Sequence, residues 1–310
     1  MSPSSITRIA RAARPQPSAA DLAAVLVQLP ARRGTRTPLG TAAQALLDKR
    51  LTAAERAAIL AIVEAVRLLR ERASLAGIDD AGRAVTLLLR DSDATERGPW
   101  ATTGQIAIGA SNGLASRAKD RARADVLITV DAAVHELAHV VQFGRMPKSA
   151  TPHPAILEGI ADAAAILATG DDTLGEEFYR RDARGRYRGA IRELGARTIS
   201  GPALGAVVSN YHDAMRPGTE EHAGGGVVSK TFIVLREGVG RERTEQLLWA
   251  VIRDSTAWKN GGSWSALLES IRRQANALWA GDPAALAAVE AALAATSLDA
   301  AAPQATRLVA

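Results

Sequence analysis

The sequence predicts an α+β protein with a small β-containing N-terminal half, one central helix and a mostly α-helical C-terminal half. Three observations predict it. Two short apolar runs, 84–89 (AVTLLL) between charged turns and 102–108 (TTGQIAI) ended by Gly109, have the length and pattern of strands. Two stretches in the middle of the chain, 131–144 and 155–168, are apolar over helical lengths. From Ser229 onward the chain reads as successive helices, and the Gly, Asn and Pro breaks between them suit a compact bundle.

Composition narrows the chemistry. The 310 residues allow one large domain or two of ordinary size. Alanine is abundant and only 4% of residues are aromatic, which favours helices packed closely through small side chains. There is no cysteine, so disulfides and thiolate metal sites are excluded. Any zinc must be held by His and carboxylates, the ligand set of catalytic rather than structural sites.

The net charge of +5 is unevenly placed: the first 50 residues carry eight Lys/Arg against Asp21 and Asp48, so the remainder is nearly neutral. A neutral body argues against nucleic acid as a partner and for a separate basic tail. No run of 18 apolar residues is present in that tail, and 23–29 (AAVLVQL) is too short to span a bilayer. It also lies behind three prolines, too far from the amino terminus for a signal peptide. Residues 1–50 therefore read as a disordered basic extension, in a protein that is cytoplasmic or exported by a non-standard route.

Beyond the tail, Thr52 and Glu55 form a capping box, and Ile59, Ile62, Val63, Val66 and Leu69 make the apolar stripe of a long helix ending near Gly77. A loop spans 111–123. Residues 126–130 (VLITV) then lead into Asp131, placed to cap the next helix, and Gly144 is placed to stop it. Residues 145–154 are a Pro-punctuated loop, and a second helix over 155–168 ends at Gly170. The Gly, Pro, Ser and His content of 194–226 reads as irregular. The predicted organisation is a tail over 1–50, an α+β half over 51–150 and a helical half over 151–310.

The chemistry concentrates at 131–144, DAAVHELAHVVQFG. His135, Glu136 and His139 form HExxH. On a helix, positions i and i+4 share a face, so both imidazoles reach one metal ion. Glu136 lies beside that face, where it can take a proton from a water without being a ligand. Glu158, 19 residues after His139, supplies a third ligand and leaves a fourth position open. Asp162, one turn further along, is placed to accept the outer N–H of a ligand histidine.

HELAH followed by ExxxD at this spacing resembles the thermolysin-like zinc metallopeptidases. Residues 222–232 (HAGGGVVSKTF) resemble that family's HxNSGIxNKAxY segment, 197–202 (RTISGP) its RSMxxP segment, and the closing helices its C-terminal pattern. The resemblance covers about residues 100–298. It implies that His135, His139 and Glu158 bind zinc, that Glu136 is the general base and that Asp162 supports His135. It further implies that His222 hydrogen-bonds the oxyanion, that Arg197 holds a substrate carbonyl, and that Val126 and Ala132 line an apolar pocket for the residue after the scissile bond. The implied function is an endopeptidase acting on protein or peptide substrates beside apolar residues. Asp131 matches a calcium-ligand position, so calcium is a second implied ion.

Departures from the family are specific. No tyrosine lies between His139 and Glu158, where an oxyanion donor is expected near Ser149 or Ala150; His153 is the nearest substitute. Leu157 stands where the family has Asn before the third ligand, and Glu220 or Glu221 replaces the acid that orients the late histidine. Residues 98–101 (GPWA) stand on the expected substrate-pairing edge strand. These departures support an alternative, a catalytically weak or inactive binding module on a peptidase fold. The basic tail, and the resemblance of HELAHVVQ to a short motif of proteins associated with injection systems, support another: an exported effector or toxin protease.

Overall fold

The computed structural model describes residues 16–301 apart from 31–34, 75–81, 113–121, 148, 186–189, 194–198, 202–204, 209 and 260–261. In chain order the first elements are α1 (Ala19–Ala23), β1 (Val25–Pro30), β2 (Arg36–Thr41), α2 (Ala42–Leu46) and α3 (Ala53–Ala73). Then come β3 (Val85–Leu88), α4 (Ser92–Arg97), β4 (Trp100–Thr102) and β5 (Gln105–Ala107). The central pair is α5 (Val130–Arg145) and α6 (Pro154–Thr169). Short strands β6 (Thr173–Leu174), β7 (Arg192–Glu193), β8 (Ile199–Gly201) and β9 (Gly205–Val207) form two two-stranded ribbons. The chain closes with α7 (Tyr211–Ala214), α8 (Glu221–Val239), α9 (Arg241–Arg253), α10 (Ser255–Lys259), α11 (Trp264–Trp279) and α12 (Pro283–Ala295). No helix among the described residues is long and apolar enough to cross a membrane.

The expected mixed architecture, a small N-terminal sheet followed by helices, is what the chain adopts. The reading of residues 1–50 as disordered is corrected from Gln16 on, apart from 31–34, which lie outside the described residues as 1–15 do. The five-stranded sheet has the order β2-β1-β3-β5-β4, so a strand from the supposed tail sits inside it. β1 pairs parallel with β3, from Val25↔Val85 to Gln28↔Leu88, and antiparallel with β2. The reason is period-2 burial: Val25, Val27 and Leu29 enter the core while Leu26 and Pro30 face out. Asp21, inside α1, is fully buried and meets Arg70 of α3 at 2.7 Å, which fastens the segment to the body.

α3 begins at its expected capping box, with Thr52 and Glu55 exchanging hydrogen bonds. It ends at Ser74 in a left-handed conformation, before Gly77, which lies outside the described residues. α5 is buried almost all round because α3, α6 and the sheet edge pack against it. Its cap is Thr129 rather than Asp131: Thr129 Oγ1 accepts from Ala132 N at 3.3 Å. Gly144 does not stop it. The helix runs through Arg145, and Met146 is extended at φ −73°, ψ 136°, as the residue before Pro147 is constrained to be.

α8 starts at Glu221, well before Ser229, so the glycines at 224–226 are helical rather than loop. Their small size serves packing. α6 and α8 cross with backbones touching: a Cβ on Gly159 would lie 2.2 Å from Gly225 O, and one on Gly225 would lie 2.8 Å from Gly159 N. That approach sets Glu158 of α6 beside His222 of α8.

Candidate metal centre

α5 and α6 together build the site. His135 and His139 are one turn apart on α5, ring centroids 4.7 Å apart, with Nε2 atoms 3.1 Å apart. Glu158 comes from α6: Oε2 lies 3.2 Å from His135 Nε2 and Oε1 lies 3.3 Å from His139 Nε2. The two Nε2 atoms are thus 3.1 Å apart, and each has one oxygen of the Glu158 carboxylate 3.2–3.3 Å away. A tetrahedral zinc ion with N and O ligands at about 2.0–2.1 Å sets those ligands about 3.3 Å apart. The separations and the donor types both fit zinc.

The outer ring nitrogens show why a cation belongs there. His135 Nδ1 faces Asp162 Oδ1 at 2.9 Å, and His139 Nδ1 faces Gln142 Oε1 at 2.8 Å. Both oxygens are acceptors, so each Nδ1 is placed to hold a proton, which leaves Nε2 as the atom of each ring that would meet a metal ion. Glu158 Oε2, buried between imidazoles, makes no hydrogen bond of its own. Three lone-pair donors so close repel one another unless a positive charge lies between them.

Ionisation follows from the same arrangement. Burial opposes charge on His135, but Asp162 and Glu158 outweigh it and push its pKa up to about 10. Burial also opposes charge on Glu158, yet the facing imidazoles hold its carboxyl far below the usual carboxylate range. Glu136 is buried beside the cluster, and burial raises its carboxyl above the ordinary value against the pull of His135 and His139.

His222 stands in the first turn of α8, its Nε2 3.3 Å from Glu158 Oε2. Its Nδ1 is held by Glu220, the N-cap residue of α8, whose other oxygen accepts from Ala223 N at 3.0 Å. Glu220 rather than Glu221 is thus the acid on the late histidine. His153 begins α6 with its ring against Trp264, centroids 5.4 Å apart, and belongs to neither metal-competent cluster among the described residues.

Not every expected residue joins the site. Arg197 lies outside the described residues. Ala132 is buried in the first turn of α5, one turn before Glu136. Val126 lines a surface cavity of about 410 Å³ with Leu60, Ile128 and Glu177, and no residue of the metal cluster borders it. The calcium expectation at Asp131 meets a different use of that carboxylate. Its oxygens accept from Thr129, from Ala132 N at 2.8 Å and from Gly175 N at 2.6 Å, and burial raises its pKa, disfavouring the charge a cation needs. Asp131 belongs to no metal-competent cluster among the described residues. Gln142 was missed in the sequence; its position three residues after His139, on the same helical face, was the available signal.

Comparison with solved structures bears on the fold. The chain superposes on the precursor of protealysin, a metalloproteinase from Serratia proteamaculans, with a TM-score of 0.66, at 14% identity over 88% of each chain. The chain shares that protein's fold. The match is wider than the stretch 100–298 that carries the sequence resemblance. No protein-family model and no curated protein matches the sequence.

Proposed function

We propose that the chain is a zinc-dependent endopeptidase. The observation that carries this reading is the convergence of His135, His139 and Glu158 at zinc-ligand spacing, with Glu136 buried beside them on the same helix. Zinc bound there would acidify a water and polarise the scissile carbonyl. The chain's own groups supply the rest. Glu136 accepts a proton from the attacking water and returns it to the departing amine, a role for which a buried carboxyl of raised pKa is suited. His222, held at Nδ1 by Glu220, turns its Nε2 towards the cluster, where it hydrogen-bonds the oxyanion. Asp162 fixes the tautomer and direction of His135. Arg197 holds a substrate carbonyl, and Ala132, one turn before Glu136, contributes to apolar selectivity beside the scissile bond.

The test is Glu136→Gln. The variant should bind one zinc per chain, by atomic absorption, and lose chelator-sensitive cleavage of casein. Wild-type activity in that variant would refute the mechanism. A second reading, a peptidase fold that grips peptides without cutting them, is favoured by the lack of tyrosine between His139 and Glu158, since one lost oxyanion donor costs ~10²–10³ in rate. Zinc at unit stoichiometry, with no turnover across a peptide library, would decide for it.

A further inference from the structure

The two ligand histidines are held from behind by different chemistry. Asp162 on α6 takes the outer nitrogen of His135, whereas His139 is held by an uncharged amide from its own helix. Gln142 is completely buried, and a buried amide needs partners for both its ends. Its Oε1 lies 2.8 Å from His139 Nδ1, and its Nε2 donates to Leu157 O at 3.2 Å. Leu157 immediately precedes Glu158. One amide therefore touches the second ligand on one side and the backbone next to the third ligand on the other.

From this geometry we infer that Gln142 is the positioning residue for the His139–Glu158 half of the metal site, an inference that rests on the zinc reading above. An amide oriented by the Leu157 carbonyl can present only its oxygen to His139. The ring is thereby fixed in the Nδ1–H tautomer, with the Nε2 lone pair turned to the cluster. The same contact ties α5 to α6 at the point where Glu158 leaves the backbone. A glutamate at 142 keeps the acceptor for His139 but sets a carboxylate oxygen against Leu157 O. An apolar residue loses both contacts. Leu157 occupies the position before the third ligand where the resemblance leads one to expect a side-chain amide. Here the amide comes from α5 and reaches Leu157 through its backbone.

The experiment compares wild type with Gln142→Leu, Gln142→Met and Gln142→Glu by two readouts. The first is the imidazole tautomer in the metal-free protein, from long-range proton–nitrogen correlation spectra of ¹⁵N-histidine-labelled chain at pH 8. The second is zinc affinity, by competition with a chromophoric chelator. Wild-type His139 should be the Nδ1–H tautomer. The Leu and Met variants should show mixed tautomers and bind zinc about 10–100-fold more weakly. The Glu variant should recover the tautomer but not the full affinity.

Tautomer and affinity both within twofold of wild type in the apolar variants would overturn the inference. An Nε2–H tautomer for wild-type His139 would overturn it even if no variant folded. Failure of the wild type to bind zinc would instead sink the metal reading, and the metal-free spectra would still decide the role of Gln142.

Discussion

Replacing Gly159 by alanine tests how the two halves of the site are held together. The added Cβ would lie 2.2 Å from Gly225 O and 2.6 Å from the Val228 Cβ. Neither neighbour is the free end of a flexible side chain, so α6 and α8 must separate by about 1 Å to restore normal contact. Overpacking of this kind costs about 1–3 kcal/mol, and rigid backbone on one side puts the cost near the top of that range. Alanine recovers about 1 kcal/mol through better helix propensity. The net loss is about 2 kcal/mol, or roughly 4 °C in Tm for a chain of this size. The separation should also open the 3.3 Å contact between His222 and Glu158. Thermal melts followed by circular dichroism, with peptidase assays alongside, measure both effects. Gly281→Ala is the control, because a Cβ there meets nothing within 4 Å and the backbone is not left-handed. A Gly159→Ala chain that melts at or above the wild-type temperature would refute the close-approach argument.

Substitutions at two further positions probe the scaffold. Asp254 accepts from Ser270 at 2.6 Å and from Arg273; burial opposes its charge, but these bonds outweigh it and hold the carboxyl down to about 2. A depressed carboxyl contributes stability that is full above its unfolded value of 3.8 and lost as pH falls towards 2, about 2 kcal/mol in all. Urea midpoints should therefore show the gap between wild type and Asp254→Asn narrowing by about 1 kcal/mol from pH 5 to pH 3; a constant gap would contradict this. Arg241 closes the C-terminal end of α6, donating to Leu167 O at 2.5 Å and Ala168 O at 2.6 Å, and it also meets buried Glu245. Arg241→Ala should cost about 2–3 kcal/mol in urea unfolding with zinc stoichiometry unchanged, and Arg241→Lys should recover little, because a single ammonium cannot reproduce the fork.

What could be read in the sequence was local. His135, Glu136 and His139 are tied by helical spacing, as are Glu158 and Asp162, so each group could be placed on one helix face; that the two faces meet at one site was implied by the family resemblance. What could not be read depended on partners distant in the chain. Val25, Val27 and Leu29 alternate, but a six-residue strand among prolines and arginines is convincing only when β3, about 60 residues later, is seen beside it. The glycines at 224–226 suggested a loop because their real constraint, the nearness of α6, is invisible in their own segment. Asp131 was the expected cap, but its carboxylate is tied to Gly175 of a distant segment, and Thr129 caps the helix instead.

The inner position of β1 has a consequence for where this chain can be cut. Trimming it to residue 51, at the start of the first long helix, would strip two strands and leave Val85–Leu88 with one side unpaired. Three of those four residues are buried in the intact chain. A bare, apolar strand edge is a template for the strands of other molecules, so the shortened protein should self-associate more than the longer one. The segment that resembles a dispensable leader is, in this fold, the guard of the sheet.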